Sequence, residues 1–175
     1  GGIDVRPGGT LRLLENSTVD IATQYNDAYL LAQSNSTLEL RDATVSGIGS
    51  SSGSFWTKRA PTVRTNDALI ENTTFVDNYY ALVVDGGNGT VVRNSTFSDT
   101  VYVRDAWNVT LSGNRVEESS VNVRRGTDVT VADNHLVDRI LSVEDSTGVT
   151  VTRNTPDAGV EIRQGRENRI TDNDV

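Results

Sequence analysis

An apolar pair spaced five positions apart returns eight times along this chain. The first members are Leu14, Leu40, Ile70, Val92, Leu111, Val131, Val151 and Ile170; the second are Val19, Val45, Phe75, Phe97, Val116, Leu136, Pro156 and Val175. The steps from one first member to the next are 26, 30, 22, 19, 20, 20 and 19. So short a repeat means one small unit stacked on copies of itself, because no single unit can bury its own apolar face. Three positions after each first member stands a small or polar residue: Ser17, Ala43, Thr73, Ser95, Asn114, Asn134, Asn154 and Asn173. A further set of apolar pairs, Ala81/Val83, Val101/Val103, Val121/Val123, Leu141/Val143 and Val160/Ile162, alternates with the period of a half-buried strand.

Turn-forming tetrads separate these strands, among them Asp85-Gly86-Gly87-Asn88, Asp105-Ala106-Trp107-Asn108 and Asp145-Ser146-Thr147-Gly148. Each repeat is filled by short strands and turns and has no room for a helix. The expectation is an all-β fold: a right-handed parallel β-helix solenoid of about seven to eight coils, roughly 20 residues each, the hand following the general preference of parallel connections. Residues 1–175 read as a single such domain, with an inserted loop at about 46–65 where the spacing stretches. Composition agrees. Val (23) and Thr (21) supply a quarter of the chain, and β-branched side chains suit a pleated surface. Hydrophobic residues make up only 35%, enough for the thin core of a solenoid.

Asn114, Asn134, Asn154 and Asn173 are read as a structural ladder, each amide bonding one coil away and satisfying polar groups that burial would otherwise penalise. Segments such as V-T-L-S-G-N-R-V, V-T-V-A-D-N-H-L and N-R-I-T-D-N-D-V resemble the repeat of right-handed pectin-lyase-like solenoids, closest in style to NosD-like and "carbohydrate-binding and sugar hydrolysis" domains. The resemblance covers about residues 10–175. It implies the fold and says little about activity, since lyases, hydrolases, epimerases, adhesins and tail spikes share such repeats.

Charge narrows the partners. The formal net charge is −8, and Lys58 is the sole lysine beside 15 arginines. An acidic chain is repelled by phosphate backbones, which argues against a nucleic-acid partner. Dispersed carboxylates with almost no lysine resemble proteins of salt-loving archaea. There is no cysteine or methionine and one histidine, His135, so soft metal ligands are scarce and copper handling is not expected. No apolar run is long enough for a membrane span.

Candidate site residues fall into five groups. Trp56, Lys58 and Arg59 sit in the Gly/Ser-rich insertion, a composition that suits a partner or glycan contact. Trp107 occupies a turn where other coils carry Gly87, Thr127, Thr147 and Arg166, and an exposed indole there could stack on a sugar. Arg104, Arg124 and Arg163 form one outward column broken by Glu144, suited to self-pairing or to binding carboxylates and sulfates. Asp85, Asp105 and Asp145 recur at a turn as candidate Ca²⁺ ligands; no other cofactor is expected. Six N-x-S/T motifs, at Asn16, Asn35, Asn72, Asn88, Asn94 and Asn108, are candidate glycosylation sites.

Enzymatic motifs of the resembled fold are missing. There is no adjacent Asp-Asp pair, no N-T-D, no G-H-G and no D-P-H-D. A lyase could recruit Arg104 or Arg124 with Asp105, but nothing in their spacing requires it. The expected function is therefore a non-enzymatic extracellular β-helix, a stalk or adhesin segment of a cell-surface or secreted protein. The alternative is a polysaccharide-active lyase or hydrolase, or a glycan-binding module. Partners would be other segments of the same protein or head-to-tail copies, since the chain stops mid-repeat at Val175, and also surface glycans.

Overall fold

A computed structural model describes residues 1–21, 28–49 and 60–175. Its strands form three sheets, paired in parallel throughout. The first holds Gly2–Val5, Tyr29–Ala32, Thr62–Val63, Leu82–Asp85, Val101–Arg104, Val121–Arg124, Leu141–Thr147 and Val160–Arg166. The second holds Thr10–Leu13, Thr37–Arg41, Leu69–Glu71, Val91–Arg93, Thr110–Ser112, Thr130–Ala132, Thr150–Thr152 and Arg169–Thr171. The third holds Thr18–Asp20, Thr44–Ser46, Thr74–Val76, Thr96–Phe97, Arg115–Val116, His135–Leu136 and Thr155–Pro156. The chain visits the sheets in that order and returns, so each strand pairs with its equivalents one coil before and one coil after. This is a parallel β-helix of eight coils, with no helix among the described residues.

The interior is a stack of columns. One runs Leu13, Leu40, Ile70, Val92, Leu111, Val131, Val151, Ile170, every neighbouring pair in register. Another runs Val19, Val45, Phe75, Phe97, Val116, Leu136, Pro156. In the latter the rings of Phe75 and Phe97 stack at 5.0 Å and 20°. Two expected anchors move by one residue. In the first coil the column member is Leu13, not Leu14, which is exposed; Glu15 and Asn16 both take left-handed φ (49° and 64°) and lengthen that turn by a residue. In the fourth coil Leu82 and Val84, not Ala81 and Val83, align with Val101 and Val103. Ala81, Leu82, Val83 and Val84 are all buried, so no in-out alternation marked the register there.

Turns rest on left-handed residues. Between the second and third sheets they are Asp42, Asn72, Asn94, Gly113, Asp133, Arg153 and Asp172, with φ of 50°, 48°, 51°, 64°, 57°, 53° and 58°. Asn, Asp and Gly tolerate this conformation; Arg does so less readily. Arg153 and Arg125 (φ 53° and 50°) are alike in each giving two hydrogen bonds to the Asp one coil earlier. The insertion expected at 46–65 is narrower at both described ends. Ile48 is fully buried, and Thr62–Val63 is a regular strand of the first sheet.

Candidate functional site

Outward side chains of the first sheet stand in two neighbouring columns. One reads Asp85, Arg104, Arg124, Glu144, Arg163. The other reads Tyr102, Asn122, Ser142, Glu161. Between them lies a groove of about 430 Å³ lined by Tyr102, Arg104, Asn122, Arg124, Arg125, Ser142 and Glu144. The Tyr102 ring meets Tyr80 edge-on at 5.3 Å, and Tyr80 leans on Tyr79 at 4.8 Å. Burial, and then the negative potential of Tyr80 and Asp99, push the Tyr102 phenol above its usual range.

The arginine column is self-paired. Asp85 receives Arg104 at 2.8 Å and Arg64 at 2.7 Å, and Glu144 lies 3.6 Å from Arg124. Burial raises the Asp85 carboxyl, but the hydrogen bonds and charges of Arg104 and Arg64 outweigh it and hold the group below its ordinary value. Arg163 turns to Glu161 at 2.6 Å. Arg104 and Arg124 thus share one groove, each beside a carboxylate.

The expected calcium column does not form as drawn. Asp85 belongs to the strand column of Arg104, because the fourth coil is one residue shorter there than a common turn position requires. Asp105 is clamped by Arg125 through two bonds of 2.6 and 2.7 Å, which hold its carboxyl low. Asp145 lies beyond Arg125 in the next coil and does not meet the other two. Among the described residues no cluster of three or more His, Cys, Asp or Glu side chains could hold a metal ion.

Trp107 is placed as a turn residue with 52% of its surface exposed. Its register partners are Asn88, rather than Gly87, and Thr127. It does not line the groove. Trp56, Lys58 and Arg59 lie outside the described residues. All six candidate glycosylation asparagines are exposed, and five of them, all but Asn88, have left-handed φ.

The asparagine ladder is present in full. Asn114, Asn134 and Asn154 each direct Nδ2 to the next Asn Oδ1 at 2.9 Å, and that oxygen also accepts the backbone N–H. A second ion-pair column was missed by sequence reasoning. On the second sheet Arg12 pairs with Glu39 (3.0 Å), Glu39 with Arg41 (2.7 Å), Arg41 with Glu71 (2.8 Å) and Glu71 with Arg93 (2.8 Å). The signal was available: the residues after Leu40, Ile70 and Val92 are Arg41, Glu71 and Arg93, alternating in sign.

No described helix is long and apolar enough to cross a membrane. A family model for the right-handed β-helix region matches residues 30–175. No curated protein matches the chain.

Proposed function

We propose, for a chain that belongs to the right-handed β-helix family, that these residues form a non-enzymatic extracellular rod, a stalk or adhesin segment of a cell-surface or secreted protein. One observation carries the reading: outward charges are matched to one another along the coil axis, from Arg12 to Arg93 on the second sheet and from Arg64 to Arg104 on the first. Pairs that join successive coils stiffen the rod and leave less charge for chemistry. Arg104 and Asp105, which a lyase would recruit, are already engaged by Asp85 and Arg125. The rod's partners are other segments of the same protein or head-to-tail copies. A finer kinship with NosD-like and pectin-lyase-like solenoids, and a salt-rich habitat, belong to the same reading; the repeat style and the lysine-poor, acidic composition support them.

Surface labelling of intact cells tests the location, and unsaturated-uronate and reducing-end assays test the chemistry. Labelled protein without turnover is the expected result; turnover abolished by Arg104→Ala would overturn the non-enzymatic reading. A second reading has its own observation, the groove that brings Tyr102, Arg104, Asn122 and Arg124 together. It makes the domain a glycan-binding module. Binding to acidic glycans on an array, lost in Arg124→Ala with the fold intact, would favour this second reading over the bare stalk.

A further inference from the structure

Three observations meet at Asn88. The first is a misplaced hydroxyl. One inward column leading into the second sheet reads Ala68, Thr90, Val109, Val129, Val149, its members linked coil to coil through main-chain bonds of 2.8–2.9 Å such as Val91 N to Ala68 O and Thr110 N to Thr90 O. All five residues are buried, at no more than 1% exposure. Thr90 is the polar member of an apolar column, and its Oγ1 has no hydrogen-bond partner. Valine has the same shape and would remove the unsatisfied group. Packing therefore does not account for a threonine at this position.

The second observation is what that threonine completes. Asn88-Gly89-Thr90 is an N-x-T motif. Asn88 is exposed, and its carboxamide makes no hydrogen bond among the described residues. The same motif is more encumbered at two of the other five sites. Asn72 Nδ2 donates to Asp42 at 3.1 Å. Asn94 Oδ1 lies so close over Gly113 that a Cβ there would come within 2.6 Å of it.

The third observation is the neighbour. Asn88 is the register partner of Trp107, a residue 52% exposed. Register partners in a parallel ladder stand side by side, about 4.8 Å apart. An indole there offers an apolar, π-rich face to whatever the asparagine carries.

We propose that Asn88 is an N-glycosylation site whose first sugar rests on the Trp107 indole, and that Thr90 remains a hydroxyl because the acceptor motif requires one. The donor is a saccharide joined through phosphate to a lipid carrier. A bond forms between the anomeric carbon and Asn88 Nδ2. The bond from that carbon to the phosphate oxygen breaks, its electron pair leaves with the phosphate, and the amide gives up one proton. Because the Thr90 hydroxyl is sealed in the folded coil, transfer precedes closure of that coil. The site rests on the extracellular reading, since the donor and its transferase act on exported chains.

The test uses the full chain, secreted from a host that N-glycosylates, with peptide mass spectrometry as the readout. Asn88 is expected to be occupied. Thr90→Ser should retain the glycan and Thr90→Val should lose it. Made without glycosylation, Thr90→Val should melt higher by about 2–4 °C, as removal of an unsatisfied hydroxyl requires. In a Trp56→Phe background, quenching of Trp107 fluorescence by acrylamide should fall when the glycan is present. An empty Asn88 beside occupied Asn16, Asn35 or Asn108 would overturn the proposal, as would a Thr90→Val protein no more stable than the parent. Protein from its native source sorts the two ideas. If all six sites are bare there while the secreted protein carries sugar at Asn88, the extracellular reading falls and the acceptor geometry stands.

Discussion

The third and fourth coils build the turn between the second and third sheets in one way, and the fifth to eighth build it in another. In the former the left-handed residue is Asn and the inward residue a hydroxyl: Asn72-Thr73 and Asn94-Ser95. In the latter the left-handed residue is Gly, Asp or Arg and the inward one is Asn: Gly113-Asn114, Asp133-Asn134, Arg153-Asn154 and Asp172-Asn173. Reach explains the difference. Thr73 and Ser95 hydroxyls donate only to carbonyls two residues back in their own coil, Glu71 and Arg93, both at 2.9 Å. The Asn134 carboxamide spans three coils, donating to Leu111 O behind, Ala132 O beside it and Asn154 Oδ1 ahead. One part of the solenoid is stapled by amides. The other relies on the Phe75–Phe97 stack inside and on ion-pair columns outside.

The comparison presumes that both parts share one continuous apolar core. Val131→Asp attacks that premise and should have the largest effect. It puts an unpaired carboxylate where exposure is 0%, at a cost of more than about 4 kcal/mol. Denaturant titration checks it, with hydrogen exchange alongside because stacked coils can open in blocks. A Val131→Asp protein as stable as Arg124→Ala would mean that the column does not exist.

Removing one rung from each kind of ladder tests the difference itself. Asn134→Ala strands the Asn114 N–H and removes the amide's bonds to the Leu111 and Ala132 carbonyls and to Asn154 Oδ1, and should cost about 3 kcal/mol. Ser95→Ala strands the Thr73 N–H and leaves the Arg93 carbonyl with its bond from Asn72 N, and should cost about 1 kcal/mol. Equal losses would show that the amides do not staple the coils together.

The two kinds of turn also differ in how well they could be read from sequence. The amide part was legible position by position, because its coils keep a nearly constant length and repeat the same Asn. Strand registers through 101–171 and all four ladder members stand where the spacing put them. The region around 81–88 was not. Four consecutive buried apolar residues hid the alternation, and a shift of one residue carried Asp85 from a turn column into a strand column. The Arg41–Glu71–Arg93 column went unseen for another reason. Cross-coil pairing depends on the residue beside each anchor, and the anchors alone do not draw attention to it. Thr90 is a further case: a sequence reader sees a threonine in a threonine-rich chain, and only burial makes it anomalous.

Among the ion pairs, enclosure should decide the outcome. Asp85 and Arg104 keep 11% and 19% of their side chains exposed, so Asp85→Asn leaves a poorly solvated guanidinium and should cost about 2 kcal/mol. The exposed Asp133–Arg153 pair should be dispensable, with Asp133→Asn unchanged within measurement error. The acid response follows in sign. A carboxyl held below its unfolded value of about 3.9 stabilises the fold at neutral pH, and that contribution is lost as pH falls below about 4 through the lower folded value. Urea midpoints from pH 6 to 2 should therefore fall less steeply in Asp85→Asn than in the parent. Parallel slopes would remove Asp85 from the account.

Salt should have the smallest effect, because it acts on both parts with opposing terms. Hydrogen-bonded pairs such as Arg41–Glu71 at 2.8 Å are closer than the screening length even in 1 M salt, about 3 Å, so they lose little. Carboxylates without an ion-pair partner among the described residues repel one another over longer distances, and that repulsion is removed. The amide part carries Glu118, Asp128, Asp138, Asp145, Asp157, Glu167, Asp172 and Asp174 of this kind, all after position 117. With a net charge of −8, molar salt should raise the melting midpoint. Set against the cations, 13 carboxylates and 9 arginines in 101–175 and 11 carboxylates and 7 cations in 1–100 leave each part at −4, so hydrogen exchange should find the gain spread over both. A midpoint indifferent to salt would undo the salt-habitat reading. A gain confined to the first four coils would instead place the unbalanced charge in the part held by ion pairs, and the two parts would then differ in their electrostatics as well as in their turns.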